Sequence, residues 1–306
     1  MVLSGNISVD ISEVSKSYNG RHAIEEISLR VNKGELFGFI GPDGAGKTTL
    51  IRILTTLLIP DKGHATVEGY DTVKDYRKIR QIVGYMPGRF SLYQDLSVEE
   101  NLNFFASIFK TSIKENYHLI ADIYRQIEPF RTRPAGKLSG GMKQKLALCC
   151  ALIHKPVILF LDEPTTGVDA VSRKEFWDML DKLKKENITI LVSTPYMDEA
   201  SRCDRVALMQ EGKILSVDSP EGIVRSYENP LLAVKSGNMY QLLFDMQEFP
   251  GTVRAYRSGE YIHAAVKKDA KQEENLNKFL SGKGQKQLVI KEITASVEDS
   301  FMALME

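Results

Sequence analysis

Residues Gly41 to Thr49 read GPDGAGKTT and carry the spacing GxxxxGK[ST] of a phosphate-binding loop. Gly41, Gly44 and Gly46 let successive main-chain N–H groups converge on an anion without side-chain obstruction, and Pro42, Ala45 and Thr49 complete the cradle. Lys47 brings a point charge to the outer phosphates and Thr48 a hydroxyl to Mg²⁺, while the helix that follows aims its positive end at the same anion. Asp43 is the odd member, because a carboxylate on such a loop repels phosphate unless it points outward. Farther along, VILFLDEP closes on Asp162 and Glu163. A buried strand delivers two acids at its C-terminal end, where parallel sheets place ligands. Asp162 is suited to hold Mg²⁺ through water, and Glu163 to orient or polarise an attacking water. The expected ligand is a nucleoside triphosphate with Mg²⁺, and the expected chemistry is its hydrolysis.

The elements that must position these groups are legible around them. ELFGFIGP reads as a buried strand feeding the loop, and TTLIRILTTLL repeats apolar residues at helical spacing. ISVDISEVSKSY and AIEEISLRVNKGE alternate like half-buried antiparallel strands, with GHATVEGY as another. From about Ser97 to Lys155 the pattern is helical, opening on Ser97 with Glu100 three residues on, the pairing of a capping box. VILFLDEP, the helical stretch SRKEFWDMLDKLKKEN and ITILVSTP then imply a parallel pair joined by a right-handed crossover. After Pro220 no motif appears, and short strand and helix patterns alternate to a final SVEDSFMALME. This gives a domain over 1–225, with a helical subdomain over about 90–155, and a small α+β, ferredoxin-like domain over 226–306.

The chain of 306 residues balances 40 Lys and Arg against 40 Asp and Glu, which gives no electrostatic reason to expect a nucleic acid partner. No stretch approaches the roughly 18 apolar residues of a membrane-spanning helix, and MVLSGNISVD lacks the basic start and apolar block of a secretion signal, so a cytoplasmic location is expected. Cys149, Cys150 and Cys203, without a CxxC, point to buried thiols rather than a metal site or a disulfide framework.

LSGGMKQK at Leu138 to Lys145, between the loop and the acids, narrows the class. With TTGVDA at Thr165 to Ala170 and Tyr18 in YNG, the chain resembles the nucleotide-binding subunit of an ABC transporter over about residues 7 to 220. The resemblance implies an α/β P-loop NTPase fold of the ABC ATPase type, with a mixed sheet core, an antiparallel β subdomain and an inserted helical subdomain. It implies ATP and Mg²⁺ as ligands, with Tyr18 stacked on adenine. Ser139, Gly140 and Gly141 bind the γ-phosphate held by an opposite subunit, so each site needs two chains facing head to tail. Asp169 either ties such subunits together or is a turn aspartate. The implied partners are an integral membrane permease and a second ABC ATPase subunit or another copy of this chain, on the inner face of the cell membrane. The wording of the chain is most like subunits that drive ABC-2 type exporters.

Two positions depart from the family pattern. Gly88 in GYMPGRF stands where a glutamine normally touches Mg²⁺ and the attacking water, and Pro195 in ILVSTPYMDEA stands where a switch histidine is normal. His22, His64, His118, His154 and His263 all lie far from Pro195 along the chain; His154 is expected to pack or cap, and Gln94 is an outside substitute for the glutamine. The implied consequence is a slow composite site on this chain's own Walker motifs, paired with a better-equipped ATPase; the alternatives are a fully active homodimer, a regulatory ATP sensor, or a soluble ABC protein outside transport. Phe90, Leu92 and Tyr93 are expected to line the groove that accepts a helix of the membrane subunit, with ordinary loop burial as the other reading.

Overall fold

Apolar runs and alternating runs sort into different sheets in the structure, a computed structural model that describes residues 6–268 and 272–305. The chain divides into two compact units, Met1–Pro220 and Glu221–Glu306.

In the first unit, β1 (Ile7–Tyr18) and β2 (Arg21–Asn32) pair antiparallel and bury one face. β3 (Leu36–Ile40) is buried at every position, as a strand covered on both faces must be. It feeds the glycine loop and then α1 (Lys47–Leu54). β4 (Lys62–Val67) and β5 (Tyr70–Asp71) extend the first sheet to the order β2-β1-β4-β5, and α2 (Tyr76–Ile82) leads into β6 (Val83–Met86). The helical insertion follows, with α3 (Val98–Ile108), α4 (Ile113–Tyr124) and α5 (Gly140–Leu152). The chain returns through β7 (Ile158–Asp162), α6 (Ala170–Lys185), β8 (Thr189–Thr194), β9 (Arg205–Gln210) and β10 (Lys213–Asp218). The second sheet has the order β10-β9-β3-β8-β7-β6, parallel throughout except for β10.

One core joins the two sheets through α1. Val9, Ile11 and Val31 of the first sheet meet Phe37 and Phe39 of β3 and Leu50, Ile51 and Leu54 of α1. The helix that carries Lys47 and Thr48 is therefore fixed from both sides. It is shorter than TTLIRILTTLL predicts. The N–H groups of Leu57 and Leu58 both turn back to the Arg52 carbonyl, at 2.8 and 3.1 Å, and Thr56 takes a left-handed φ of 64°. That closes the last turn and ends the helix at Leu54.

The insertion opens as its sequence predicts. Glu100 N–H donates to Ser97 Oγ at 3.2 Å and Ser97 N–H to Glu100 Oε2 at 2.8 Å, a complete capping box. Buried Asn101 donates to the carbonyls of Tyr93, Leu96 and Ser97 and accepts from Tyr93 N–H, so the loop ahead of α3 is held by one side chain.

In the second unit, α7 (Pro220–Arg225), which starts at the division, precedes β11 (Leu231–Lys235), α8 (Met239–Glu248), β12 (Thr252–Ser258), β13 (Tyr261–Val266), α9 (Gln272–Gly282) and β14 (Val289–Ile293). Its strands form one antiparallel sheet in the order β12-β13-β11-β14. Leu242 and Met246 of α8 and Leu276 and Leu280 of α9 pack with Leu232, Val234, Ile262 and Ala264 of the sheet. The closing helix α10 (Val297–Leu304) is fastened by Asp299, which accepts from Ser296 N–H and Oγ–H, from Tyr256 O–H at 2.5 Å and from His263 Nδ1 at 2.7 Å. Among the described residues, no helix is long and apolar enough to cross a membrane.

Candidate nucleotide site

The loop between β3 and α1 is built where side chains do not fit. A Cβ on Gly41 would stand 2.1 Å from the Met209 carbonyl, and Gly46, at φ 98°, would meet the Ala23 carbonyl at 2.5 Å. Glycine alone lets this turn sit on its neighbours. Tyr18, Ala23, Asp43, Gly44, Ala45, Gly46, Lys47, Thr48, Thr49 and Glu163 line one open cavity of about 410 Å³. Asp43 is exposed, in keeping with a carboxylate that avoids phosphate. Tyr18 is 43 % exposed at the end of β1, a ring open for stacking.

Lys47 is almost wholly buried. Its Nζ donates to the carbonyls of Gly41 at 2.7 Å and Pro42 at 3.0 Å, and lies 3.4 Å from Glu163 Oε1. The ammonium thus rests on oxygens of its own loop, at the place where phosphate oxygens would draw it. Thr48 O–H and Ser193 O–H both donate to Asp162 Oδ1, at 2.9 and 2.7 Å. The second Asp162 oxygen accepts no hydrogen bond among the described residues. A hydroxyl and a carboxylate side by side, both hard oxygen donors, fit Mg²⁺ with the remaining positions filled by water and phosphate.

Glu163 sits just past β7 in a left-handed backbone of φ 50°, its N–H bound by the Ser193 carbonyl at 3.1 Å and by Ser193 Oγ at 3.0 Å. A non-glycine residue there is strained by about 1 to 3 kcal/mol, and β8 supplies the restraint that holds it. The strain turns the carboxylate into the phosphate cavity instead of along the strand.

Both departures border this site. A Cβ on Gly88 would lie 2.9 Å from the Asp162 carbonyl and 3.7 Å from Glu163 Cβ, so position 88 touches the acid pair but brings only backbone. Pro195 follows Thr194, whose carbonyl accepts from Gly41 N–H at 3.3 Å, so position 195 adjoins the first residue of the loop. His154 is elsewhere: its ring stacks on Phe109 at 3.7 Å and its Nε2 lies 3.1 Å from the Val83 carbonyl. Gln94 lies against Gly136. Neither replaces what Gly88 and Pro195 lack.

Ser139, Gly140 and Gly141 do not line the nucleotide cavity of their own chain. Ser139 Oγ caps α5 by accepting from Met142 N–H at 3.4 Å, and Gly141 passes so close to α6 that a Cβ would meet Ser172 Oγ at 2.7 Å. Ser139 and Gly140 are exposed and Gly141 is half-buried, at the start of a helix whose first N–H groups have no partner within the helix. Asp169 caps α6 through the N–H groups of Val171 and Ser172, which is the turn reading of that residue.

One set of contacts was not legible beforehand. Thr165 and Thr194 both donate to Glu199, at 3.1 and 2.5 Å, and Glu199 is buried. It ties the segment after the acid pair to the segment that carries Pro195. Only the DEA wording of the sequence marks it, and no spacing rule connects it to Thr165. Of the three loop residues expected at the groove, Tyr93 is 51 % exposed, whereas Leu92 is buried and lines a cavity between β6 and the helical insertion.

The family described as "ABC transporter" matches residues 24–166 of the chain. The probable multidrug ABC transporter ATP-binding protein YbhF of Escherichia coli is 37% identical over 304 residues, 97% of this chain and 52% of that protein. The chain thus spans about half the length of that relative. Nod factor export ATP-binding protein I of Mesorhizobium japonicum is 31% identical over 305 residues, covering 98% of this chain and 87% of its own. Among solved structures, cbiO1 from Clostridium perfringens, described as part of the ABC transporter complex cbiONQ, superposes with a TM-score of 0.64 at 27% identity over 72% of this chain and 92% of that one. The ATP-binding cassette MJ0796, in a dimeric post-hydrolysis state bound to ADP and Pi, gives 0.62 at 25% identity over 69% and 98%. With a phosphate loop clamped between two sheets, an acid pair at the end of β7 and a relative 31% identical that is matched over 87% of its own length, the chain belongs to the ABC transporter family, among its ATP-binding proteins.

Proposed function

We propose that this chain binds ATP with Mg²⁺ as one half of a head-to-tail pair of ATPase subunits, and that closure of the pair drives a membrane permease, in the direction of export. The main-chain N–H groups of residues 44–48 and Lys47 hold the phosphates, which means that Lys47 exchanges the carbonyls of Gly41 and Pro42 for phosphate oxygens. Thr48 and Asp162 hold Mg²⁺, which when bound neutralises charge on the phosphate oxygens. Glu163 accepts a hydrogen bond from the attacking water and orients it. Tyr18 stacks on the base, a contact worth about 1 to 3 kcal/mol in nucleic acid binding. The export direction rests on the names of relatives such as the Nod factor export protein. The chain works as a peripheral subunit on the inner face of the membrane.

The observation that carries the rest is an asymmetry within one chain. Positions 88 and 195 border the acids and the loop without a polar side chain, while Ser139, Gly140 and Gly141 are intact. One missing donor to developing charge lowers a rate by about 10²- to 10³-fold. We infer that the site on this chain's Walker motifs turns over slowly, and that its signature motif completes a faster site on a second ATPase. Against this stands the complete pair of Lys47 and Glu163, which favours a homodimer with modest activity of its own.

The test is phosphate release by the purified chain alone and together with the ATPase and permease that copurify from membranes. Low turnover alone and high turnover in the assembly support the asymmetric pair; vigorous turnover alone removes it. Lys47→Ala serves as the control and abolishes ATP-dependent pairing in either case.

A further inference from the structure

Glu199 is a buried acid that does not line the nucleotide cavity. It stands in a 3₁₀ stretch, Met197–Arg202, just past Pro195, and one of its oxygens does all its hydrogen bonding. Oε2 accepts from Thr165 O–H at 3.1 Å and from Thr194 O–H at 2.5 Å. Among the described residues, Oε1 is buried without a partner. A carboxylate half satisfied in the interior is costly, so its presence there calls for a role beyond packing.

The two hydroxyls belong to the two sides of Glu163. On the N-terminal side, Ser193 near the end of β8 binds Glu163 N–H through its carbonyl and its Oγ. On the C-terminal side stands Thr165, whose carbonyl accepts from Val168 N–H at 3.2 Å and so opens the turn that leads to Asp169. Thr194 is the neighbour of Ser193 and the last residue of β8. One strand end therefore clasps the turn twice, directly through Ser193 and, by way of Thr194 and Glu199, through Thr165. A left-handed residue such as Glu163, at φ 50°, persists only where its surroundings fix it on both sides. Thr194 also offers its carbonyl to Gly41 N–H at 3.3 Å, so the same clasp reaches the first glycine of the phosphate loop.

We propose that Glu199 is a positioning residue for hydrolysis: by gathering Thr165 and Thr194 on one oxygen, it keeps the Glu163 carboxylate aimed at the attacking water. The proposal rests on the reading of Glu163 as the acid that orients water, and adds the group that holds it there. Pro195 brings no polar side chain to the segment after β8, and Glu199 is the means by which that segment still bears on the chemistry. A misplacement of about 1 Å at a reacting group lowers a rate by roughly 10²-fold, so the clasp governs turnover, whereas binding rests on the loop itself. The outer side of the segment is held separately, because the Arg173 guanidinium of α6 lies 4.7 Å from the centre of the Tyr196 ring and 3.7 Å from Asp198. Loss of Glu199 therefore does not release it from α6.

The experiment measures phosphate release in a single turnover by the assembled transporter, with the catalytic glutamate of any copurifying ATPase disabled, and ATP affinity in parallel. Glu199→Ala is expected to lower the rate by about 10²-fold and to leave ATP affinity within about twofold. Glu199→Gln keeps one acceptor oxygen for both hydroxyls, without the charge that strengthens the bonds, and loses less than Glu199→Ala. In a chain that already carries Glu163→Gln, Glu199→Ala removes little more, since residues that act as a unit are not additive. Thr165→Val opens half of the clasp without leaving a cavity and lowers the rate by about tenfold, which decides the question should Glu199→Ala fail to fold. An unchanged rate in Glu199→Ala or Thr165→Val, a Glu199→Gln chain as slow as Glu199→Ala, or an equal loss of ATP affinity overturns the positioning role and leaves Glu163 in its own. A rate unchanged by Glu163→Gln overturns the reading beneath it.

Discussion

Pro195 and Gly88 carry the proposal of a slow site on this chain. Each adjoins a residue of the candidate site, Gly88 the acid pair and Pro195 the strand end that holds Gly41, and neither brings a polar side chain. Pro195→His is expected to raise turnover at this chain's own site by about tenfold or more, measured as phosphate release from the assembled transporter with the partner's catalytic glutamate disabled. Gly88→Gln alone gains less, because its Cβ must first push back the Asp162 carbonyl, and the pair of changes need not multiply. No gain from either change would mean that the slow step lies elsewhere. The loop and the acid pair were readable in the sequence because GPDGAGKTT and LDEP are local spacings with a fixed chemistry. What each residue touches was not. That Lys47 rests on the carbonyls of Gly41 and Pro42, or that a side chain at position 88 would meet the Asp162 carbonyl, depends on the register of β6 against β7 and the turn at Gly41.

At the scale of elements, His154 joins three of them. It follows α5, stacks on Phe109 just past α3, and binds the carbonyl that opens β6. Burial holds its imidazole well below the ordinary value of 6.5, at about 4, although the bond to Val83 works the other way. Between these two values the unfolded chain takes up a proton that the folded chain refuses, so stability from this residue is full above about pH 6.5 and falls as pH drops toward 4. The loss is up to about 3 kcal/mol. The difference in urea midpoint between wild type and His154→Phe should therefore change between pH 7 and pH 4.5, with the variant losing less on acidification. An equal loss in both would show that the ring is solvated. Helix and strand periods located these elements, yet the period of TTLIRILTTLL ran past the true end of α1, because the turn at Thr56 is closed by backbone bonds to Arg52. Leu92, expected at a groove, is buried to 8 % exposure yet lines the cavity between β6 and the helical insertion, since burial of a loop side chain depends on what the fold brings over it.

The whole molecule divides into two units, each with a core of its own. Asp299 is the sharpest handle on the second. Burial pushes its carboxyl up, but hydrogen bonds from His263, Ser296 and Tyr256 outweigh this and hold it below the usual range. Asp299→Ala leaves those donors without their shared acceptor and lowers the stability of residues 221–306 by about 3 kcal/mol or more. Hydrogen exchange should quicken in β12, β13 and α10, while ATP affinity, proposed to rest on the cavity lined by Tyr18, residues 43–49 and Glu163, stays the same. A fall in ATP affinity would show that the second unit supports the first.

The closeness of the Asp162 carbonyl to the place a Cβ would take at position 88 sets an order on any route to a larger residue there. A side chain must first dislodge a main-chain oxygen, and only afterwards can it gain a use. Under the proposed pairing, that uphill first step acts as a ratchet that favours reliance on a second ATPase.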